Sequence, residues 1–408
     1  MLSILDKTAS LSPLISPRID VRRPIYNWHP FKHSYSKSLV DAVIKEFELK
    51  PGSWVMDSFC GGGTTLLACK EAGINSAGFD ILPFSVFLST VKTGSYDTDQ
   101  LLEERKKFAP SKNVSLHFSS LSTIPIAKKA FTTSTRTELT RIKERIEKIN
   151  DLNTKNFYNL GLLSIIESVS NTSKAGGFLR IVNRKIPPKM VHQLFFSKID
   201  RMIADTQQFN CTYKHKAVKV SVKGADARQL RTNRKFDAII TSPPYPNRHD
   251  YTRIYSLEML FDFVSNNEDL KSIRYRTLRS HVEAKRIFQS IDYERPKRLA
   301  KIIKDIQQNG VNNPMVVKMI DGYFEDMFLA LKQMSNSLVK GGKIALVVSN
   351  VRFAGISVPV DELLAEIGSQ VGLTSKAIWI ARYRGNSSQQ MKEYNRYPSR
   401  ESIVVWEK

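Results

Sequence analysis

The residues best placed to do chemistry lie in AIITSPPYPNRHDY, Ala238 to Tyr251, where an apolar run ends in Ser242-Pro243-Pro244-Tyr245. Neither proline can donate a hydrogen bond to a neighbouring strand, so the chain must leave its sheet there. A rigid turn carrying a hydroxyl, free carbonyls and a ring, at the carboxyl end of a strand, is where open α/β sheets hold ligands. A proline turn that merely ends a strand is the alternative reading of the dipeptide taken alone. DSFCGGGTT, Asp57 to Thr65, is the second candidate. Its glycines let a ligand approach the backbone closely, while Thr64 and Thr65 can cap a following helix. No lysine of a phosphate-binding loop follows Gly63, and the third glycine of a nicotinamide-dinucleotide loop is missing. Asp80, at the end of the strand in SAGFDIL, sits where an acid accepts hydrogen bonds from ribose hydroxyls; helix capping is its other reading.

The elements that must position these groups follow from the pattern. HPFKHSYSKSLVDAVIKEFEL puts Leu39, Val40, Val43, Ile44 and Phe47 on one helical face, with Ser36 as N-cap and Pro51-Gly52 as the stop. SWVMD then reads as a short buried strand, the glycine loop leads into a helix ending at Gly73, and Asp80 closes a second strand. Strand, glycine loop, helix, strand and acid form the first half of a nucleotide-binding α/β unit. Residues 96–213 interrupt that unit with stretches such as TRTELTRIKERIEKI and read as a mainly helical insertion. The α/β pattern resumes in AVKVSVKGADARQL, a strand leading to Asp226, and continues in KFDAIITSPPY. Residues 266–313 are strongly basic. The helix DGYFEDMFLALKQMSNSLVKGG and the strands KIALVVSN, SKAIWIARYR and RESIVVWEK complete the sheet. The expected fold class is α/β.

A chain of 408 residues, 41% hydrophobic and 10% aromatic, has room for one large core with insertions or for two or three domains. Its 62 Lys and Arg against 39 Asp and Glu leave a net charge of +23, which favours a polyanionic partner, nucleic acid first. Cys60, Cys69 and Cys211 form no C-x-x-C pair and lie away from histidines at ligand spacing, so a reducing compartment and no metal are expected. The opening MLSILDKTASLSPLISPRIDVRR lacks the apolar core of a signal peptide; its Ser and Arg content faintly suggests a transit sequence, against which Asp6 and Asp20 count. No segment reaches the roughly 18 apolar residues needed to span a bilayer. An intracellular protein with no membrane partner is the expectation.

Phe59-x-Gly61-x-Gly63, the Asp80 strand end, Gly224-Ala225-Asp226 and Thr241-Ser-Pro-Pro-Tyr245 occur in the order seen in S-adenosylmethionine-dependent amino-methyltransferases of DNA. The chain resembles that family over residues 25–95, 216–262 and 320–408, and HPFKHSYSKSLVDAVI resembles the cofactor-proximal helix such enzymes carry before the glycine loop. The resemblance implies a Rossmann-like methyltransferase core with a mixed, mostly parallel sheet. It implies S-adenosylmethionine as cofactor, bound by Asp57, Phe59, Gly61, Gly63, Thr64, Asp80 and Asp226, and double-stranded DNA as substrate. It makes Ser242, Pro243, Pro244 and Tyr245 the catalytic motif. An exocyclic base amine is a poor nucleophile because its lone pair is delocalised into the ring. In the family picture the Ser242 side chain and the Pro243 carbonyl hold the amine hydrogens, the prolines freeze those acceptors, and Tyr245 stacks on a base flipped out of the duplex. Serine at the first motif position resembles the cytosine-N4 enzymes, whereas Asp or Asn is more typical of adenine-N6 enzymes. Carbon-5 methylation needs a Pro-Cys that the chain lacks, and Cys60 reads as packing.

ARYRGNSSQQMKEYNRYPSRE resembles a loop near the active site of related site-specific methyltransferases, which makes Asn386, Ser387 and Gln389 candidate contacts of the flipped nucleotide or its phosphates; a plain hairpin loop is the other reading. Arg274, Arg276 and Arg279 are candidate phosphate contacts. The expected organisation is an N-terminal arm, 1–24, and a core built from 25–95, 214–265 and 314–408. The helical insertion, 96–213, is the candidate for target recognition, and 266–313 is a basic segment for DNA contact. The implied setting is a restriction-modification system in a bacterial cytoplasm or nucleoid, with a cognate restriction endonuclease acting on the same site as a further partner. Adenine-N6 methylation, methylation of RNA or tRNA, and non-catalytic nucleic-acid binding on the same fold are the alternatives, in that order.

Overall fold

The computed structural model describes all residues except 1, 21, 109–124, 177, 185, 214–216, 312 and 386–396. Its strands are β1 (Ser3–Asp6), β2 (Trp54–Asp57), β3 (Asn75–Asp80), β4 (Thr172–Ala175), β5 (Phe178–Ile181), β6 (Val220–Gly224), β7 (Phe236–Thr241), β8 (Leu338–Ser349), β9 (Val351–Phe353), β10 (Ile356–Val358), β11 (Thr374–Arg384) and β12 (Ser399–Glu407). Eight form one sheet in the order β1-β11-β12-β8-β7-β2-β3-β6, with two small hairpins, β4-β5 and β9-β10, outside it. Every neighbouring pair in the main sheet is parallel except those made by β12, which runs against β11 and β8. The strand order reverses beside β2, between β3 and β7, and open α/β sheets form their ligand crevice at such a point. Within the N-terminal arm, Ser3–Asp6 form an edge strand alongside Ala377–Ile380.

Side chains alternate between the two faces of the central strands. Val55, Ala238, Ile240, Ala345, Val347, Ile403 and Val405 pack with the helix Lys37–Glu46. Met56, Ile239, Ile344, Leu346, Val348 and Val404 pack with the helices Met315–Ser337 and Val360–Ser369. Burial on both faces explains why the strands read as nearly continuous apolar runs. Residues 96–213 do fold mostly into helices, the longest being Pro188–Thr212, but SNTSKAGGFLRI forms the β4-β5 hairpin. These helices share one core with Trp28, with Phe84 and Leu88 of the helix Pro83–Thr93, and with Tyr255 to Leu260. Among the described residues no helix is long and apolar enough to cross a membrane.

A buried ion cluster ties the segment after β6 to the rest. Asp326, fully buried on the helix Met315–Ser337, accepts from Arg228 Nη1 (3.0 Å) and from the Arg279 amide (2.9 Å), Nε (3.1 Å) and Nη2 (2.6 Å). Gly322 makes room for it: a Cβ there would stand 2.6–2.7 Å from Arg279 side-chain atoms. Removing one carboxylate from such a cluster leaves guanidinium charge buried without compensation. Asp326→Ala should therefore lose about 3–5 kcal/mol of unfolding free energy, read from urea titrations.

Candidate active site

The carboxyl ends of β2, β3 and β7 converge, and one carboxylate joins what they carry. Asp57, 2% exposed, accepts through Oδ1 from the Thr241 hydroxyl (2.6 Å) and the Phe59 amide (3.1 Å), and through Oδ2 from the Tyr35 phenol (3.2 Å). Tyr35 also bonds Thr65, so the segment before the first helix, the glycine loop and the end of β7 all meet here. Burial raises the Asp57 pKa, opposed by the bonds from Thr241, Thr65, Phe59 and Tyr35. Beside it, Asp80 accepts from the Gly61 amide (2.9 Å) and the Leu82 amide (2.9 Å), and burial pushes its pKa up to about 6. Gly63 caps the helix Thr64–Ala72 in the left-handed region, φ 76°, with Ser89 atoms 3.0–3.2 Å from where a Cβ would stand. Above the loop, Phe31 lies against Gly61 and Gly62 and stacks on Tyr255 at 4.7 Å.

These residues line a pocket floored by Asp57 to Gly62, with Asp80 and Asp226 on its walls. Ser58, which faces this pocket, has a buried hydroxyl with no hydrogen-bond partner among the described residues. Asp226 shares its carboxylate with Arg228, through Nε (3.0 Å) and Nη2 (2.7 Å), and keeps about one-eighth of its side chain exposed. The Phe59 side chain packs half-buried, and the Thr64 hydroxyl pairs with Ser34 at 3.1 Å.

Ser242 lines both this pocket and a neighbouring cleft of about 1880 Å³. Its hydroxyl faces the Val347 carbonyl at 3.0 Å, and the Tyr245 phenol faces Glu401 Oε1 at 3.1 Å. The Ser242 hydroxyl can also donate across the 3.4 Å gap to the Tyr245 oxygen, but the Val347 carbonyl is its nearer acceptor, and the Tyr245 proton goes to the carboxylate, which can only accept. Ser242 Oγ is thereby left as an acceptor. The Pro243 carbonyl receives no hydrogen bond from the described residues. Pro243 and Tyr245 line the cleft, and Pro244 lines the pocket. The arrangement can hold a donor group at the junction of two cavities.

The other expected site residues divide. Arg279 is buried between Glu325 and Asp326, and Arg274 is engaged by Asp250 (2.8 Å) and Glu283 (3.3 Å), so both serve the framework. Arg276 is exposed at the rim of the small pocket. Asn386, Ser387 and Gln389 lie outside the described residues. Among the cations on the cleft, Arg18, Arg201 and Arg248 are exposed and have no ion-pair partner among the described residues; none was singled out in the sequence. Also unanticipated are Tyr35, the Arg382–Glu401 pair, and the His33–His249 contact, with ring centres 4.4 Å apart. Burial holds both imidazoles below the ordinary value, His33 at about 4. Among the described residues no group of three or more His, Cys, Asp or Glu is placed to hold a metal.

An open, mostly parallel sheet with an acid-lined glycine loop and a Ser-Pro-Pro-Tyr turn at its carboxyl edge defines a Rossmann-like methyltransferase. A family model described as DNA methylase matches residues 18–88. Type II methyltransferase M.BsoBI from Geobacillus stearothermophilus is 31% identical, covering 99% of this chain and 90% of that protein. Type II methyltransferase M.AvaI from Nostoc sp. is 29% identical, covering 97% and 89%. A solved rRNA methyltransferase, aviRa from Streptomyces viridochromogenes, is similar at 10% identity and a TM-score of 0.31, over 93% of this chain and 87% of that one. The chain belongs to the S-adenosylmethionine-dependent amino-methyltransferases of DNA, within the Type II methyltransferases of restriction-modification.

The Thr241–Asp57 bond is the shortest link between the glycine loop and the Ser-Pro-Pro-Tyr turn for which loss can be measured without a change of shape. Thr241→Val leaves Asp57 one donor short in a buried setting and should cost about 1–3 kcal/mol in denaturant unfolding.

Proposed function

We propose that this protein methylates the exocyclic N4 amine of cytosine in double-stranded DNA, on a base flipped from the duplex into the large cleft. The observation that carries this reading is the place of Ser242 between the two cavities, with its oxygen left as an acceptor. Bound S-adenosylmethionine supplies an electrophilic methyl group. Residues on the pocket fit that cofactor: Asp80 and the unpartnered Ser58 hydroxyl suit its ribose and amino-acid groups, and the open part of Asp226 suits its base amine. Gly61 and Gly63 with Phe59 and Thr64 shape the loop around it, while Asp57 holds the loop's geometry.

Ser242 and Pro243 then do the work on the base. Accepting the two amine hydrogens at Ser242 Oγ and the Pro243 carbonyl localises the nitrogen lone pair and aims it out of the base plane toward the pocket. Pro243 and Pro244 keep these acceptors from turning, and the Tyr245 ring offsets the lost stacking of the flipped base, a term of roughly 1–3 kcal/mol. Serine offers one small neutral acceptor, which supports cytosine over adenine by the family tendency. Arg18, Arg201 and Arg248 are suited to the phosphates on either side of the flipped nucleotide. Both added regions reach the cleft, residues 96–213 through Arg201 and residues 266–313 through His281 to Glu283, which supports their sharing in target recognition. A restriction endonuclease cutting the same site completes the proposed system.

Nucleoside mass spectrometry of DNA from expressing cells should show N4-methylcytosine; N6-methyladenine would reverse the choice of base. Ser242→Ala should lower kcat by about a hundredfold while leaving cofactor and DNA affinity within about twofold, the signature of a contact made mainly in the transition state.

Asp80 sets a pH test. Its pKa in the fold is about 6 against an ordinary 3.8, so its stabilising contribution is fully present below the ordinary value and is lost as pH rises through about 6. A ligand that donates hydroxyls to the ionised carboxylate offsets that loss. The rise in Tm caused by S-adenosylmethionine should therefore grow between about pH 5 and about pH 7.5, and Asp80→Asn should flatten that growth.

A further inference from the structure

Glu401 stands where packing alone calls for an apolar residue. Ile403 and Val405, two and four positions on along β12, are buried in the apolar layer on the face that Glu401 shares by strand alternation. Glu401 is nonetheless a carboxylate, 5% exposed, at the end of that row nearest the cleft. It lies across from Arg382 on β11 and Ser349 on β8. Its Oε2 accepts from Arg382 Nε at 2.6 Å, with Arg384 at 3.7 Å, and its Oε1 accepts from the Tyr245 phenol at 3.1 Å. Burying a carboxylate is unfavourable unless every partner is in place, and here one of the partners is the ring of the Ser-Pro-Pro-Tyr turn.

We propose that Glu401, held by Arg382, is a positioning residue for methyl transfer, acting through Tyr245 on both the stacking ring and Ser242. This rests on the reading of Ser242 as the acceptor of the target amine. A hydrogen bond at the tip of a tyrosine holds the phenol oxygen in place and, because the O–H prefers the ring plane, restrains the broad two-fold torsion about which the ring turns toward a stacked base. The second effect is on the proton. The phenol oxygen is 3.4 Å from Ser242 Oγ, which is within reach as an acceptor once Glu401 no longer takes the phenol proton. A phenol turned that way donates to Ser242, takes up one of its two lone pairs and competes with the amine hydrogen for that oxygen. Glu401 keeps the phenol proton turned away. Tyr245 remains a donor throughout the neutral range, since burial first and the charge of Glu401 second hold its pKa well above the ordinary value.

The two effects separate in a mutant cycle, measured as single-turnover transfer of labelled methyl groups to DNA, with KM for DNA and cofactor affinity determined alongside. Glu401→Gln should slow transfer about tenfold at nearly unchanged KM and cofactor affinity, because a carboxamide can donate to the phenol and leave its proton free for Ser242. Tyr245→Phe should slow it only about threefold, since stacking survives and only the tip anchor is lost. The double variant should be no slower than Tyr245→Phe: with no phenol, Ser242 is open again. Rescue by deleting a second polar group is not the behaviour of a residue that merely stabilises the fold. Additive losses in the double variant, or wild-type transfer in Glu401→Gln, would overturn the inference while leaving the methyltransferase reading intact. If Glu401→Gln does not fold at the assay temperature, Tyr245→Phe decides alone, and a wild-type kcat in it would overturn the anchoring role. Failure of the wild-type protein to methylate DNA would overturn both readings.

Discussion

The geometry of both cavities depends on the buried carboxylate of Asp57. Its donors come from three places far apart in the chain: Tyr35 before the first core helix, Phe59 in the glycine loop, and Thr241 at the end of β7. A carboxylate in an apolar sheet is tolerated only while such donors surround it, so the loop on one side and the turn on the other cannot shift independently. Asp80 repeats the device on a smaller scale, binding the Gly61 and Leu82 amides and so closing the loop onto the next strand. Where the pocket ends and the cleft begins is thus set by two acids rather than by the glycines, whose part is to leave room.

Sheet register does the rest. Thr241 lies opposite Leu346 on β8, which brings the next residue on each strand, Ser242 and Val347, into hydrogen-bond range just beyond the last pair. The Val347 carbonyl takes the serine proton because the proline after Ser242 supplies no amide to compete for it. A one-residue slip of β7 against β8 would turn that carbonyl away. The orientation of one hydroxyl is therefore a consequence of parallel pairing several residues deep in the core.

Much of this was legible in the sequence where the backbone has few options. Glycines at 61 to 63, the proline pair after Ser242, and acids at strand ends constrain the chain locally, and the strands around them lie where the pattern puts them. Elements without such punctuation were missed. Ser3–Asp6 is a four-residue edge strand with every residue exposed, so no alternation marks it, and the β4-β5 hairpin lies inside a region that reads as mainly helical. Charge was the least legible property. KSIRYRTLRSH looks like a phosphate-binding run, yet Arg279 turns inward because Asp326 waits 47 positions later, and Arg274 is taken by Asp250. Glu401 was invisible for the converse reason: nothing in RESIVVWEK shows that its acid meets a tyrosine 156 positions away.

The net charge of +23 is accordingly a poor guide to where a polyanion would lie. Arg253, Arg274, Arg279, Arg382 and Arg400 are all held by carboxylates, and only what is left over can meet a phosphate without first breaking an internal bond. On the cleft that remainder includes Arg18, Arg201 and Arg248, contributed by the N-terminal segment, the last helix of the insertion and the loop after Tyr245. Arg248 has a left-handed backbone, φ 71°, with its amide fixed to the Ser280 carbonyl at 3.0 Å, a conformation that persists only where the surroundings enforce it. Arg201 is set by the shared core that joins the insertion helices to Trp28 and Tyr255. That core also takes in Tyr251 and Ile254 to Leu260, so the insertion helices and the chain that follows the Ser-Pro-Pro-Tyr turn are packed as one body, and Arg201 keeps its place relative to that segment.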